Sequence, residues 1–246
     1  MGADRDEQAR GILQAAGRRL DDTRDLLDAA MEQATALERS LRDHEDTVND
    51  LRWDAAKILL DPNSSRSTLR AVQAGAQQLT EQLRHSTHAA ATIHDKLEAA
   101  GQHLRHTDRL IGALGAASTD PAHATGVAIL SSRAERLTTL VEIAKPLADR
   151  ARQQLGYAHD ALEYGVTSST EPGRDQLQMF WSLDRGVFDT ARELARARNS
   201  TRDGAELTEH AIQSGALTGA HATSMLRPHL RPATSPTGDG LSGPTI

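Results

Sequence analysis

The 246-residue chain is 38% hydrophobic and 2% aromatic, has no cysteine, and carries 28 Lys+Arg against 34 Asp+Glu for a formal charge of −6. This composition excludes disulfides and thiolate chemistry, leaves too few rings to line an ordinary ligand pocket, and lacks the clustered basic footprint of a nucleic-acid-binding protein. No stretch approaches the ~18 apolar residues of a membrane span, and the opening MGADRDEQARG lacks the positive-then-apolar order of a signal peptide. The expectation is therefore a cytoplasmic protein with no membrane and no nucleic-acid partner. All basic residues but Lys57, Lys96 and Lys145 are arginine and alanine is abundant, which fits a GC-rich bacterial genome.

Helix breakers are sparse. The punctuation lies at DPNSSRS (61–67), GAASTDP (115–121), TSSTEPG (167–173) and NSTRDG (199–204). Each cluster supplies residues that accept hydrogen bonds from the open N–H groups of a helix start: Ser67, Asp120 before Pro121, Thr170 before Glu171 and Pro172, and Thr201 or Asp203. Helices are predicted at about 5–60, 67–115, 120–165, 172–198 and 203–226. The Pro/Gly/Ser/Thr-rich remainder, 229–246, is predicted to be a disordered tail.

The first three segments share a seven-residue repeat. In the first, Leu13, Leu20, Leu27, Ala34, Leu41, Val48 and Ala55 form one row, and Ala16, Thr23, Ala30, Leu37, His44, Leu51 and Ile58 the other. The second segment continues with Leu69, Ala76, Leu83, Ala90, Leu97, Leu104 and Ile111 beside Val72, Leu79, Ser86, Ile93, Ala100, Thr107 and Leu114. The third has Val127, Ala134, Val141, Ala148, Leu155 and Leu162 beside Leu130, Leu137, Ala144, Ala151 and Ala158. Only Thr23, His44, Ser86 and Thr107 break the apolar pattern. Such a repeat keeps one seam facing a partner when helices wind around each other, and short connections make successive helices antiparallel.

The predicted fold is all-α: an elongated antiparallel up-down-up coiled-coil of three helices over 1–166, in rods of about 70–80 Å. Two shorter C-terminal helices over 167–228 either pack on it or form an interaction module. Pro146, inside the third helix, is expected to bend that rod.

The fourth segment departs from the Leu/Ala pattern. Leu177, Phe180, Leu183, Val187, Ala191 and Leu194 form its stripe, flanked by Met179, Trp181 and Phe188. Bulky rings at this spacing belong either to a core or to the centre of an interface. Leu177, Phe180, Trp181, Val187 and Phe188 are the candidate contact residues. The next segment, with Leu207, Ala211, Ile212, Ala216, Leu217 and Ala220, has only a diffuse apolar face.

No constellation points to catalysis. DDTRD at 21–25 resembles the aspartate-rich metal–diphosphate motif of the all-helical isoprenoid synthases. The seam assignment puts Asp21, Asp22 and Asp25 on the outer face, and the nearest candidate for the second motif, NDLRWDAAK at 49–57, has Trp53 and Lys57 where a hydroxyl and a carboxylate are required. His85/His88 and His103/His106 have the i, i+3 spacing of paired metal ligands but fall mainly outside the seam. His44 falls on it, where a neutral imidazole is expected to be satisfied by water or a cross-helix hydroxyl.

No cofactor and no metal are expected. The predicted function is a non-catalytic coiled-coil scaffold or adaptor acting through protein contacts, with self-association through leftover seam. The alternative is a helical substrate or accessory protein of a specialised bacterial secretion system, although Trp53 lies mid-helix and Tyr157 is followed four residues later by Ala161 rather than an acid; a helical metal-dependent enzyme is a third, less favoured reading.

Overall fold

Four helices make up the regular structure of the computed structural model: α1 (Gly2–Leu60), α2 (Ser65–Ala117), α3 (Pro121–Ser169) and α4 (Gln176–Leu226). It describes residues 2–60, 65–117 and 121–226, and side chains over 7–57, 66–115, 121 and 123–213. There is no strand among them, and none of the helices is long and apolar enough to cross a membrane. The predicted tail at 229–246 lies outside the described residues.

The seam is where the repeat puts it. Every described seam residue of α1, α2 and α3 is buried except Leu13 and Val127, which are half-buried. Neighbouring helices run antiparallel. As α1 ascends from His44 to Leu51, its partners on α2 descend from Ser86 to Gly75. Gln73 and Glu98 of α2 reach Ser169 and Lys145 of α3, and α3 meets α4 at Ala158/Thr190 and Gly165/Gly186. α4 then closes against α1, through Arg198 on Glu45 and Phe188 under Arg52. Each helix thus packs on two neighbours, and the diagonal pairs α1/α3 and α2/α4 touch only sparsely.

The two predicted C-terminal helices are one, and the three-helix arrangement is corrected to four helices. α4 runs through NSTRDG (199–204) without a break. Packing overrides the local turn preference there. Thr201 is buried and its hydroxyl donates to Ala197 O at 2.8 Å, inside its own helix. Ser200 Oγ lies 3.1 Å from Gln154 Oε1 on α3, and a Cβ at Gly204 would meet Leu147 at an ordinary 3.6 Å. Residues that would suit a loop in isolation find partners here, so nothing is gained by breaking the helix.

The other break is real but its cap is different. Thr170, expected to start the fourth helix, instead closes α3: its N–H donates to Thr167 O at 3.2 Å and its hydroxyl to the same oxygen at 3.0 Å. Gly173 turns the chain at φ 89°, a left-handed conformation that glycine adopts without strain. Asp175 then caps α4, its Oδ1 accepting from Gln178 N–H at 2.8 Å. After the α2/α3 connection α3 starts at Pro121, where its missing N–H costs nothing. Helix α3 continues through Pro146.

All four polar seam residues are satisfied. Thr23 donates to Arg19 O at 2.7 Å and Thr107 to His103 O at 2.9 Å, each bond staying within one helix. His44 Nε2 lies 3.2 Å from Ser40 Oγ and 3.1 Å from Ser86 Oγ, so the imidazole joins α1 to α2 across the core. Burial holds its pKa below the ordinary histidine value, against a smaller upward push from Asp43. Where α2 faces α3, Lys145 and Arg105 hold the Glu98 carboxyl down at about 2. Mid-rod, small residues such as Ala34, Ala90, Ala144 and Gly204 surround a void of about 10 Å³, too little for more than a single water.

The α3/α4 crossing is the tightest. A methyl group on Gly186 would lie 2.7 Å from Ala161 O and 2.9 Å from Gly165 Cα, backbone atoms that cannot swing aside. Gly186→Ala should therefore cost about 1–3 kcal/mol despite its better helix propensity. Gly156→Ala, with nothing within 4 Å of the added carbon, should stabilise by about 0.5–1 kcal/mol. Urea denaturation of the two variants tests this opposition of sign.

The folded state favours neutral His44 while the unfolded chain protonates at its ordinary value, so this contribution is present above about pH 6.5 and is lost as pH falls below it. The difference in urea midpoint between pH 7.5 and pH 5.5 should shrink in His44→Leu/Ser86→Ala, which replaces the polar pair with an apolar layer.

Candidate functional site: the aromatic face of α1 and α4

The predicted contact stripe divides into two faces. Phe180 (3% exposed) and Val187 (0%) are core residues, together with Leu183 and Leu194. Leu177 (57%), Trp181 (54%) and Phe188 (53%) are open to solvent. The division follows from helix geometry. Residues 180, 183, 187 and 194 follow the seven-residue rows that face the bundle axis, whereas 177, 181, 184 and 188 form a second row, rotated toward α1.

A fourth large side chain belongs to this face and comes from α1. Trp53 is 73% exposed, and with Asn49, Arg52, Ala56 and Asp184 it lines a shallow groove of about 350 Å³ between α1 and α4. The Arg52 guanidinium carbon sits 5.4 Å from the Phe188 ring centre, a cation–π contact that fixes the level of α1 against α4. Trp181 is held by an edge-to-face contact with buried Phe180, ring centres 5.3 Å apart at 67°. Trp53 was legible as an outward residue, since it lies off the rows through Val48, Leu51 and Ala55. That α4 would bring Asp184 and Phe188 to this edge of α1 was not.

The remaining rings are exposed too. Tyr157 and Tyr164 lie a heptad apart on α3, so Phe180 alone of the six aromatic residues is buried. The surface of this protein, and not its core, holds its aromatic rings.

The other candidates do not assemble. Asp21, Asp22 and Asp25 are exposed, and Asp21 sits 3.6 Å from the guanidinium of buried Arg133, whose Nε has no hydrogen-bond partner. Burial lowers the Arg133 pKa, partly offset by Asp21. His85, His88 and His106 are exposed, while His94 and His103 are half-buried with their Nδ1 atoms unpartnered. Ser131 is exposed and Ser132 half-buried on α3, and Ser131 lines the α2/α3 groove with Asp108 and Glu135. One grouping was missed: His159, Asp160 and Glu163 bring three ligand atoms within 4.8 Å of one another on a single turn of α3. His159 Nδ1 is 3.2 Å from Asp160 Oδ1 and 3.9 Å from Glu163 Oε2, and both carboxylates are exposed. Asp108, across from Glu135 in the α2/α3 groove, has its pKa raised by burial and then by that neighbour.

No family model, curated protein or solved structure matches the chain.

The two faces of the stripe have separable energetics. Phe180→Ala should destabilise the fold by about 3–5 kcal/mol, whereas Trp181→Ala should change stability by less than about 1 kcal/mol. Thermal unfolding of both variants measures the contrast.

Proposed function

We propose that the protein is a non-catalytic scaffold or adaptor, a coiled-coil rod that acts by holding a protein partner against the face shared by α1 and α4. The observation that carries this reading is the exposure of Leu177, Trp181 and Phe188 on one row of α4 and of Trp53 on α1, next to the Arg52 that lies over Phe188, in a chain whose core is mostly aliphatic. Half or more of each of the four side chains open to water amounts to roughly 300–450 Å² of apolar surface. That is at the level where an exposed patch marks an interaction site, a few hundred Å². Covering it would recover about 25 cal/mol for each Å².

The chemistry of the surroundings supports the same reading. Large apolar side chains stand at the middle of the face, while Asn49, Arg52, Asp184 and Arg185 supply a polar border, the arrangement of a contact surface. The rings project from long helices and not from loops, so little order has to be created when a partner binds. Two tryptophans and a phenylalanine are also the residue types over-represented among energetic centres of interfaces.

Recovery of binding proteins from native extract, with the wild type, Trp181→Glu/Phe188→Glu and the distant surface variant Gln78→Glu as baits, tests the reading. The wild type and Gln78→Glu should recover the same partner and the double variant should lose it, with melting curves of all three alike. Equal recovery by the three baits would exclude this face as the contact surface.

A further inference from the structure

We propose that His159, Asp160 and Glu163 of α3 form a binding site for a divalent transition-metal ion of the zinc type. Their ligand atoms all lie within 4.8 Å of one another. His159 Nδ1 stands 3.2 Å from Asp160 Oδ1 and 3.9 Å from Glu163 Oε2. In a tetrahedral site with metal–ligand bonds of about 2.0–2.2 Å, neighbouring ligand atoms are about 3.3 Å apart. One turn of α3 thus already holds an imidazole and two carboxylates near the required spacing, and small side-chain rotations would complete it. Helix geometry accounts for the convergence: His159 and Glu163, four residues apart, are neighbours on one face, and Asp160 reaches the same ring nitrogen from the next position.

The charges call for a cation. Asp160 and Glu163 are both exposed, yet both turn toward one imidazole, and neither makes an ion pair with a lysine or arginine among the described residues. Two carboxylates one turn apart repel each other, so their convergence leaves negative charge that the neutral ring does not offset. A third carboxylate approaches from α2. Gln73 on Ser169 and Lys145 on Glu98 fix the register of α2 against α3, which sets Glu81 at the level of Ala161 and Leu162, between Asp160 and Glu163. The hydrogen bond from Arg84 holds the Glu81 pKa below the usual carboxylate value, partly opposed by desolvation, and the charges of Arg84, His85 and His159 add to the lowering. Arg84 and His85, the cations of α2 at this level, are both turned to Glu81, at 2.5 Å and 3.9 Å from its Oε1. The ligand types select the ion: calcium and magnesium take oxygen ligands, whereas an imidazole nitrogen beside carboxylates suits zinc and its neighbours. Three protein ligands leave a fourth position for water or for a group from another molecule.

Zinc titration in competition with a chromophoric chelator, on the full chain freed of metal and of any affinity tag, tests the proposal. The wild type should hold a zinc ion that Asp160→Asn and Glu163→Gln each weaken at least about 10-fold. His159→Gln should lose it, and His106→Gln, at an exposed histidine elsewhere on α2, should keep it. Far-UV circular dichroism of all the variants should match the wild type, since the two carboxylates are exposed and their substitutions leave the core intact. Millimolar magnesium or calcium should not displace the zinc. A wild type that fails to compete with the chelator, zinc binding indifferent to all three α3 substitutions, or displacement by calcium would each overturn the proposal.

Discussion

Close approach of helix backbones through small residues is the constraint on which the rest of this structure depends. Alanine recurs along the seam at Ala34, Ala76, Ala90, Ala134 and Ala148, and α3 meets α4 glycine to glycine at positions 165 and 186. Each such layer buries little apolar area, so no single layer is decisive and stability accumulates along the rods. The same narrowness leaves no room for rings at the axis. Phe180 is admitted near the end of the bundle, and the other five aromatic side chains stand outside.

Thin layers also explain why the fourth helix is continuous. A three-helix seam this rich in alanine leaves its third side uncovered, and α4 covers it along α3 and α1. The seam row of α4 continues past Leu194 through Ala197, Thr201, Thr208 and Ala211, all buried. Threonine is acceptable in that row because its hydroxyl can return to the carbonyl four residues back, as Thr190, Thr201 and Thr208 all do. The polar layer of His44 and Ser86 works differently. It links two helices, and its Ser86 contact exists in one register alone, which makes it a positioning device as well as a buried cost.

The outward aromatic row on α4 is a consequence of two periodicities sharing one helix. Leu183, Val187 and Leu194 serve the core, and the row through Leu177, Trp181 and Phe188 is left to face α1 without being covered by it. Arg52 extends over Phe188 and Asp184 borders the groove, so this stretch of the α1/α4 boundary is finished with polar groups and rings.

By itself the sequence determined the helical class, the seam of α1, α2 and α3 nearly residue by residue, and the outward placement of the DDTRD carboxylates. A seven-residue repeat leaves no alternative face to bury, so these features are local in origin. Only the tertiary structure decided that NSTRDG is helical, that Asp175 and not Thr170 starts α4, and that Phe180 and Val187 belong to the core while Leu177, Trp181 and Phe188 do not. In each case the choice depended on what the neighbouring helix offered: an acceptor on Gln154, a glycine at 165, an α1 edge bearing Arg52 and Trp53. Local propensity could not choose between a loop and a packed helix at residues 199–204, because the energies that separate them arise only when α3 is already alongside.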